Sequence, residues 1–185
     1  MAIDKIQSES INLADNFAFT GTVTGTPGIT VADQWRQVSQ VTVSSQTLTL
    51  LANGNVSRVS GNGQGTFGSA MSESSGVWTF PSTGIWWVRM NLILLAQSSY
   101  SRYNGGSIYA TTDNSSYNEI TTQYTATQWV SSNWYVSTQQ DSLLDVTDTS
   151  NVKVKFYAYS DNNTVTEQAS TRNRTYFTFF RIGDT

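Results

Sequence analysis

The sequence predicts an all-β protein, a sandwich or barrel of short strands, on three observations. Residues 85–96 are β-branched, aromatic or aliphatic with only Arg89 and Asn91 interrupting, as in a strand buried on one face and nearly buried on the other. A tight turn that reverses the chain between two apolar strands precedes it, because Pro81 presets φ and Gly84 tolerates positive φ. Ser, Thr, Asn and Gln dominate the polar positions, and strong helix formers do not occur in runs, so little helix is expected.

Residues 1–30 are expected to form a short N-terminal attachment arm or linker. Its apolar attachment candidates are Ile3, Ile6, Leu13, Phe17 and Phe19. The first four, with Ser10, fall at three-four spacing, which predicts a brief helical seam that is marginal alone in water. Residues 19–28 alternate and are rich in Gly and Thr, so an extended strand or linker is expected there. A frayed terminus is the alternative interpretation.

Residues 31–185 are expected to form one β-domain, in which turn residues separate short strand-like runs. The predicted strands are residues 33–43, 46–51, 65–69, 76–80, 85–97, 107–112, 119–128, 133–138, 142–147, 151–160 and 175–182. The predicted exposed loops are residues 53–62, 97–106 and 161–173. Ser, Tyr, Asn and Gly are frequent in residues 97–117, a composition typical of adaptable binding loops and also of any all-β surface.

Charge and hydropathy limit the classes of partner. The 185-residue chain has 10 basic and 13 acidic residues, and the basic ones form no stripe, so binding to nucleic acid is not expected. Arg172 and Arg174 are the densest basic spot, which we interpret as two solvated arginines. The N-terminus carries charges where a signal peptide needs an apolar core, and no apolar run is long enough to cross a membrane. We therefore expect a chain that starts in the cytoplasm and does not enter a membrane.

Missing residue types exclude several kinds of chemistry. With no histidine and no cysteine, the chain cannot form a Ser-His-Asp triad, a Cys-His pair, the usual zinc sites or a disulfide. The remaining candidates for a glycosidase pair or a calcium site are three aspartates that cluster in sequence, Asp141, Asp145 and Asp148. We interpret all three as turn and strand-end residues that bond the backbone. The sequence therefore predicts no enzyme, no cofactor and no metal.

An ordered set of motifs resembles the C1q/TNF-like jelly-roll domains. These motifs are residues 76–81, 83–88, 143–147 with 152–159, and 176–180. The resemblance covers residues 31–185 and implies a ten-stranded β-sandwich that assembles as a homotrimer. The chain lacks a collagen Gly-X-Y shaft, an export signal and cysteine, so a C1q-type or cytokine-type signalling role does not follow from it.

The whole chain also resembles structural proteins of marine tailed phages. The residues that carry this likeness are 12–25 in the leader, 32–36, and 181–184 at the end. The resemblance implies a virion protein that is made in the host cytoplasm and released by lysis. A chain without cysteine or a signal peptide is consistent with that origin.

The trimer implied by the resemblance places the strand that starts at Ile85 in the inner sheet. Period-two alternation then directs Trp86, Val88, Met90, Leu92 and Leu94 of that strand, with Phe177 and Phe179 of the last strand, into the core. The candidates for the trimer interface are Ile85, Trp87, Arg89, Asn91, Tyr176 and Thr178, although the opposite phase stays open, as does plain packing without an interface. Trp87 is the leading hot spot. Arg89 near a three-fold axis would have to pair with carboxylates, bind an anion or point away.

Two functions fit these expectations. The first is a trimeric capsid decoration or cement protein, attached by its arm to the major capsid protein or another virion protein. The second is a receptor-binding module of a tail or head fibre, in which a host surface glycan or protein is bound. The loop candidates for that receptor are Tyr100, Tyr103, Tyr109 and Tyr117.

Overall fold

A computed structural model describes residues 29–52, 54–96, 100–128, 132 and 134–185. Regular structure in these ranges consists of β-strands. In chain order they are β1 (Val31–Gln37), β2 (Thr42–Val43), β3 (Thr49–Leu50), β4 (Val56–Arg58), β5 (Ser72–Ser74), β6 (Val77–Thr79), β7 (Gly84–Ala96), β8 (Ser101–Thr111), β9 (Asn118–Thr127), β10 (Trp134–Val146), β11 (Lys153–Ser160), β12 (Thr164–Thr166) and β13 (Tyr176–Gly183). No helix that could span a membrane occurs among these residues.

Sheet A is organised around the long strand β7. One edge of β7 pairs with β10 along its whole length, from Gly84 opposite Val146 to Ala96 opposite Trp134. Because that edge is filled, β13 and β12 share the other edge. The sheet continues from β13 to β1 and β4, and from β12 to β2, with every pair antiparallel.

Sheet B lies across the core and has the order β5-β6-β11-β8-β9, with β3 paired beside β6 on the same edge of β11. The sandwich is joined at one side where β9 of sheet B meets β10 of sheet A. There, the Gln140 side chain donates to the Gln123 carbonyl (3.4 Å), and the Thr121 hydroxyl donates to the Asp141 carbonyl (3.2 Å). Two antiparallel sheets therefore enclose one core.

Period-two alternation places apolar side chains between the sheets. The inward residues of β7 are Trp86, Val88, Met90, Leu92 and Leu94, and all are buried as predicted. Phe177 and Phe179 of β13 are also buried, which confirms the predicted phase of that strand. Their rings each lie 5.2 Å from the ring of Trp78, which sheet B contributes from β6. An aromatic cluster thus joins the two sheets at the centre.

The turn at residues 81–84 links the two sheets instead of two neighbouring strands. Phe80 and Trp86, on either side of it, meet across the core with ring centroids 5.1 Å apart, and the indole of Trp86 donates to the Ser82 carbonyl at 3.1 Å. The aromatic side chains before and after the turn are both buried between the sheets. The chain therefore passes from one sheet to the other at this turn. Gly84 has a φ of 134°, as its predicted role in the turn requires.

Several strand predictions were wrong in their bounds. The predicted strand 33–43 is divided into β1 and β2, and residues 65–69 form a loop whose backbone pairs with β1 at the bridge between Phe67 and Ala32. The predicted loops 53–62, 97–106 and 161–173 contain β4, the start of β8 and β12. The two predicted strands 133–138 and 142–147 are replaced by one strand, β10, which runs from Trp134 to Val146. Its polar centre stays paired because Gln140 turns inward and bonds Thr138 and Gln123.

A buried carboxylate fixes the edge of sheet A. Asp33 on β1 is buried and accepts hydrogen bonds from the Thr66 hydroxyl (2.9 Å), the Met71 backbone (2.9 Å) and the Trp35 indole (3.0 Å). The Arg58 guanidinium lies 3.4 Å away. These bonds hold the loop between β4 and β5 against β1, since a buried carboxylate without donors would be strongly destabilising.

Candidate functional site

The outward face of sheet A is the first candidate site, and we name it the Trp87 face. The strand register aligns its residues in rows across β10, β7, β13 and β1. The rows are Leu143-Trp87-Phe180-Ala32, then Asp141-Arg89-Thr178-Gln34, then Gln139-Asn91-Tyr176-Arg36. An aromatic and aliphatic row therefore lies beside a charged row and an amide-rich row.

Arg89 is the centre of the Trp87 face. Its guanidinium carbon lies 4.1 Å from the centroid of the Trp87 ring, within the range of a cation–π contact. Its Nη2 lies 3.7 Å from the Asp141 carboxylate, which also accepts from the Trp87 indole at 3.1 Å. With its amide oxygen turned toward the guanidinium, Gln139 accepts from Nε (3.2 Å) and Nη1 (2.8 Å). The Arg89 charge is therefore paired with a carboxylate inside its own chain.

Large apolar side chains remain exposed on the same face. The Trp87 ring stacks on Phe180 with centroids 5.5 Å apart and planes 14° apart. Leu143, opposite Trp87, and Tyr135, at the far end of β10, are each 63% exposed. Leu143, Trp87 and the partly exposed Phe180 form one apolar strip, and Tyr135 lies apart from it beyond the charged and amide-rich rows. A strip that contains Trp next to Arg89 has the composition of a protein-binding surface.

All six predicted interface residues lie on the outward side of β7 and β13. Five of them are partly buried, and Thr178 is buried in the single chain, where it accepts a hydrogen bond from Gln34 at 3.0 Å. Asn91 donates to the Arg174 carbonyl at 3.0 Å and so joins β7 to the segment before β13. The structure brings the predicted set together on one face, and the interface role stays a prediction.

A cavity of about 250 Å³ opens at the end of the Trp87 face between Ile93, Tyr135, Glu167 and Arg174. Arg174 forms an ion pair with the buried Glu167, in which its guanidinium donates a hydrogen bond to the carboxylate. This hydrogen bond raises the pKa of the guanidinium. The Arg174 side chain keeps 31% of its exposure, so the interpretation as a solvated arginine missed its ion pair and not its contact with solvent. Its partner lies seven residues earlier, on the segment after β12, so a local reading of charge did not find it.

The outward face of sheet B is the second candidate site, and we name it the tyrosine face. Its rows cross β11, β8 and β9 and are Tyr159-Gly105-Tyr124, then Tyr157-Ser107-Thr122, then Lys155-Tyr109-Glu119. Two further tyrosines adjoin these rows. Tyr103 contacts the ring of Tyr124, and Tyr117 lies under the ammonium group of Lys155.

The tyrosine rings pack edge to face. Centroid distances are 5.7 Å between Tyr103 and Tyr124, 5.6 Å between Tyr124 and Tyr159, and 4.8 Å between Tyr109 and Tyr157. Gly105 lies between Tyr159 and Tyr124 in the first row. A Cβ atom at this glycine would lie 1.9 Å from the carbonyl oxygen of Gln123, so the close approach of β8 and β9 requires glycine here.

The charges of the tyrosine face are sparse. Tyr109 donates from its hydroxyl to Glu119 at 3.2 Å, and the Lys155 ammonium lies 3.8 Å from the Tyr117 ring centroid. Lys155 forms no ion pair within the described ranges. Burial is the leading cause that raises the pKa of Tyr109, Tyr117, Tyr157 and Tyr159. These hydroxyls are therefore neutral at physiological pH and can both donate and accept hydrogen bonds.

The predicted receptor loop is largely strand. Tyr103 and Tyr109 lie within β8, Tyr117 lies just before β9, and exposed Tyr100 lies just before β8. Sequence reasoning missed Tyr124, Tyr157 and Tyr159. A signal for the last two was present, because Tyr157 and Tyr159 alternate with the buried residues Phe156 and Ala158 along β11. Their proximity to Tyr103 and Tyr109 depends on strand pairing and has no local signal.

Two of the three aspartates weighed for catalysis or calcium have separate structural roles, and the third, Asp145, is exposed near the end of β10. Asp141 lies in the middle of β10, which corrects its placement at a strand end, and it bonds Trp87 and Arg89. Asp148 holds a turn by accepting from the Ser150 backbone and the Asn151 side chain, both at 2.7 Å. In the part of the chain that the structure describes, no group of three or more acidic residues could hold a metal ion.

The attachment-arm candidates lie outside the described residues. They are Ile3, Ile6, Leu13, Phe17 and Phe19. Their role, and the division of the chain after residue 30, stay predictions.

Comparison with known proteins establishes the fold. No protein-family model and no curated protein matches the sequence. The crystal structure of murine APRIL at pH 8.0 matches with a TM-score of 0.54 and 8% identity over 82% of this chain and 98% of that chain. Eiger TNF from S. frugiperda matches with a TM-score of 0.57 and 10% identity over 86% of this chain and 96% of that chain. The PRD1 vertex protein P5 matches with a TM-score of 0.44 and 12% identity over 84% of this chain and 99% of that chain. The chain is therefore similar in fold to TNF-like jelly rolls, as predicted.

Proposed function

We propose that this protein is a non-enzymatic structural protein of a phage virion that forms homotrimers through the Trp87 face. The observation that carries the proposal is the strip formed by Leu143, Trp87 and Phe180 beside the paired Arg89. Trp, Tyr and Arg supply most hot spots at protein interfaces, and exposed apolar strips of this kind are uncommon on free surfaces. The resemblance of the sequence to trimeric jelly rolls supports three as the number of copies.

The electrostatics of the face favour assembly about a symmetry axis. Three copies of Arg89 near an axis would repel one another if each were unpaired. Asp141 and the Trp87 ring already neutralise and cover each guanidinium within its own chain. Part of the desolvation cost of burying the Arg89 guanidinium is thus offset before the copies associate.

Within the virion, we propose a capsid decoration or cement protein. Residues 1–30 attach the trimer to the major capsid protein or another virion protein, and the sandwich reinforces the neighbouring subunits. The resemblance of the whole chain to structural proteins of marine tailed phages supports this role. The absence of cysteine fits a protein made in the host cytoplasm.

Quantitative mass spectrometry of purified virions tests the virion assignment, with this chain counted against the major capsid protein. Abundance close to that of the capsid protein is expected for decoration, because shell symmetry repeats the site many times. A few copies per particle would indicate a fibre protein instead, and complete absence would overturn the virion assignment.

Deleting residues 1–25 should leave a folded trimer, seen by sedimentation, that no longer attaches to particles. A monomer or an unfolded chain would contradict a separable arm.

A receptor-binding module of a tail or head fibre is the second candidate. The tyrosine face favours it, because tyrosine provides rigid contact area with little loss of side-chain entropy on binding. The receptor would be a host surface glycan or protein, and a low copy number in the same mass spectrometry experiment would support this alternative over decoration.

A further inference from the structure

The charged residues of the tyrosine face set it apart from the centre of a protein interface. Lys155 and Glu119 lie within its rows. Tyr is enriched at the centres of protein interfaces together with Trp, Phe, Met and Arg, whereas Lys and Glu are depleted there. A ligand for this face must therefore combine stacking on tyrosine rings with many hydrogen bonds to polar groups.

Three tyrosines form a line with a regular spacing. Tyr103, Tyr124 and Tyr159 follow one another with ring centroids 5.7 and 5.6 Å apart. Tyr103 and Tyr124 are 47% and 40% exposed, so their rings are open to a ligand. Adjacent rings in this line are inclined by 79° and 64°, so the line offers both ring faces and ring edges to a ligand. The C–H face of a sugar packs on an aromatic ring much as a nucleobase stacks on aromatic side chains of single-strand binding proteins.

Polar groups surround this line and their charges balance. Arg102 lies beside Tyr103, with its guanidinium carbon 5.6 Å from the ring centroid, and pairs with Asp161 at 3.6 Å. At the other end of the face the cation Lys155 and the anion Glu119 flank Tyr109. Lys153 and Asp113, beside these rows, also carry opposite charges. Three cations against three carboxylates produce no net charge to attract an ionic ligand, which favours a neutral one. Tyrosine hydroxyls and the exposed Thr122 hydroxyl, which accepts from the buried Ser107 hydroxyl at 2.9 Å, add further hydrogen-bonding groups.

We infer that the tyrosine face binds a neutral saccharide chain, with sugar rings packed against Tyr103, Tyr124 and Tyr159. The ligand's hydroxyls bond the tyrosine hydroxyls and the charged groups at both ends of the face. This inference rests on the second candidate function and assigns a ligand class to it. The site lies on the sheet opposite the Trp87 face, so saccharide binding and self-association can be lost separately.

Affinity electrophoresis of the full chain tests the inference in native gels that contain dextran, mannan or laminarin as neutral polysaccharides, or alginate as a carboxylated one. At least one neutral polysaccharide should retard the protein. Tyr124→Thr, which keeps a strand-forming residue, should weaken that binding by about tenfold or more because a stacking ring is lost. Tyr103→Thr provides a second variant should the first fail to fold. Tyr124→Phe should have a smaller effect, because the ring remains.

Phe67→Thr is the matched control, since Phe67 is an aromatic residue with 60% exposure in the loop between β4 and β5, outside the tyrosine face. It should leave retardation unchanged. The inference is overturned if no neutral gel retards the protein, if only alginate does, or if Phe67→Thr weakens binding as much as Tyr124→Thr. It is also overturned if Tyr124→Thr alters the sedimenting mass, because the face would then be an interface between copies. Loss of saccharide binding in intact trimers would leave the proposed self-association unaffected.

Discussion

The Trp87 face and the tyrosine face cover opposite sides of one core. Behind each face the inward residues are alike in kind, with Val88 and Met90 on β7 and Val154 and Phe156 on β11. The outward residues differ, because one face presents an indole, Leu and a paired Arg while the other presents tyrosine hydroxyls, Lys and Glu. The core requires only apolar volume. The functional difference between the sheets is therefore carried by the outward half of each alternation.

The cations of the two faces show the same contrast. Arg89 on the Trp87 face contacts a carboxylate, an amide and an indole, and these contacts prepare its charge for burial. Lys155 on the tyrosine face contacts a tyrosine ring and has no ion pair within the described ranges. A strongly hydrated ammonium is costly to bury, whereas guanidinium is suited to interfaces. The first face fits association between proteins, and the second fits a ligand bound in contact with water.

The largest expected effect concerns the backbone under the tyrosine face. Gly105→Ala places a methyl group against the Gln123 carbonyl, so β8 and β9 must separate, and we expect a loss of about 3 kcal/mol in the free energy of unfolding. Urea denaturation measures it. Ser107→Ala, two residues later on the same face, should cost only about 1 kcal/mol, for one hydrogen bond. Equal effects of the two variants would show that the close approach at Gly105 is not required.

Trp87→Ala should weaken the trimer by about 2 kcal/mol or more, as expected for an interface hot spot. Sedimentation equilibrium across a range of protein concentrations measures the change. Tyr157→Thr removes a partly buried ring from the opposite sheet and should leave the association constant unchanged. If both variants dissociate the trimer equally, the assignment of one face to self-association is wrong.

Leu143→Lys separates association from folding. Because Leu143 is mostly exposed in the single chain, its replacement should change the stability of the monomer by less than about 0.5 kcal/mol. Association should lose about 1.5 kcal/mol, since the side chain would no longer be buried between copies. Sedimentation and urea denaturation of dilute protein provide the two readouts. An unchanged trimer would exclude Leu143 from the interface.

The coupling between Arg89 and Asp141 should be small in the free chain. Both side chains are partly exposed, so a double-mutant cycle with Arg89→Met and Asp141→Asn should yield about 0.5 kcal/mol, weakened by added salt. In the assembled protein the coupling should be larger and less sensitive to salt, because burial reduces screening. The same small coupling in both states would indicate that this pair stays in contact with solvent.

Alkaline pH should affect the tyrosine face through its hydroxyls. Burial raises the folded-state pKa of Tyr157 above the value of about 10 for the unfolded chain, so the folded state holds that proton more tightly. The stabilisation that this pKa difference provides is complete below pH 10, and it is lost as the pH rises through the folded-state pKa of Tyr157. Tyr157→Phe should therefore reduce the loss of stability between pH 9 and pH 12, measured by urea denaturation. A steeper loss in the variant would contradict this assignment.

Local sequence was sufficient for some parts of the fold. The alternation from Trp86 to Leu94 and the phase of Phe177 and Phe179 are properties of single strands, and both predictions are confirmed. The six interface candidates consequently lie on one face. Sequence reasoning failed at β10, where Gln139, Gln140 and Asp141 suggested a break. These polar residues continue the strand because partners on β7, β9 and β10 itself bond their side chains.

The sequence by itself determined that the protein is all-β, that β7 buries every second residue, and that His- and Cys-dependent chemistry is absent. These conclusions follow from residue identity and from spacing within single strands. Only the tertiary structure decided that the turn at Pro81 crosses between sheets, that Arg89 pairs with Asp141, and that Tyr103, Tyr124 and Tyr159 form one line. The residues in these contacts are far apart in the chain, and strand order and register bring them together. Neither order nor register is encoded in the periodicity of one strand.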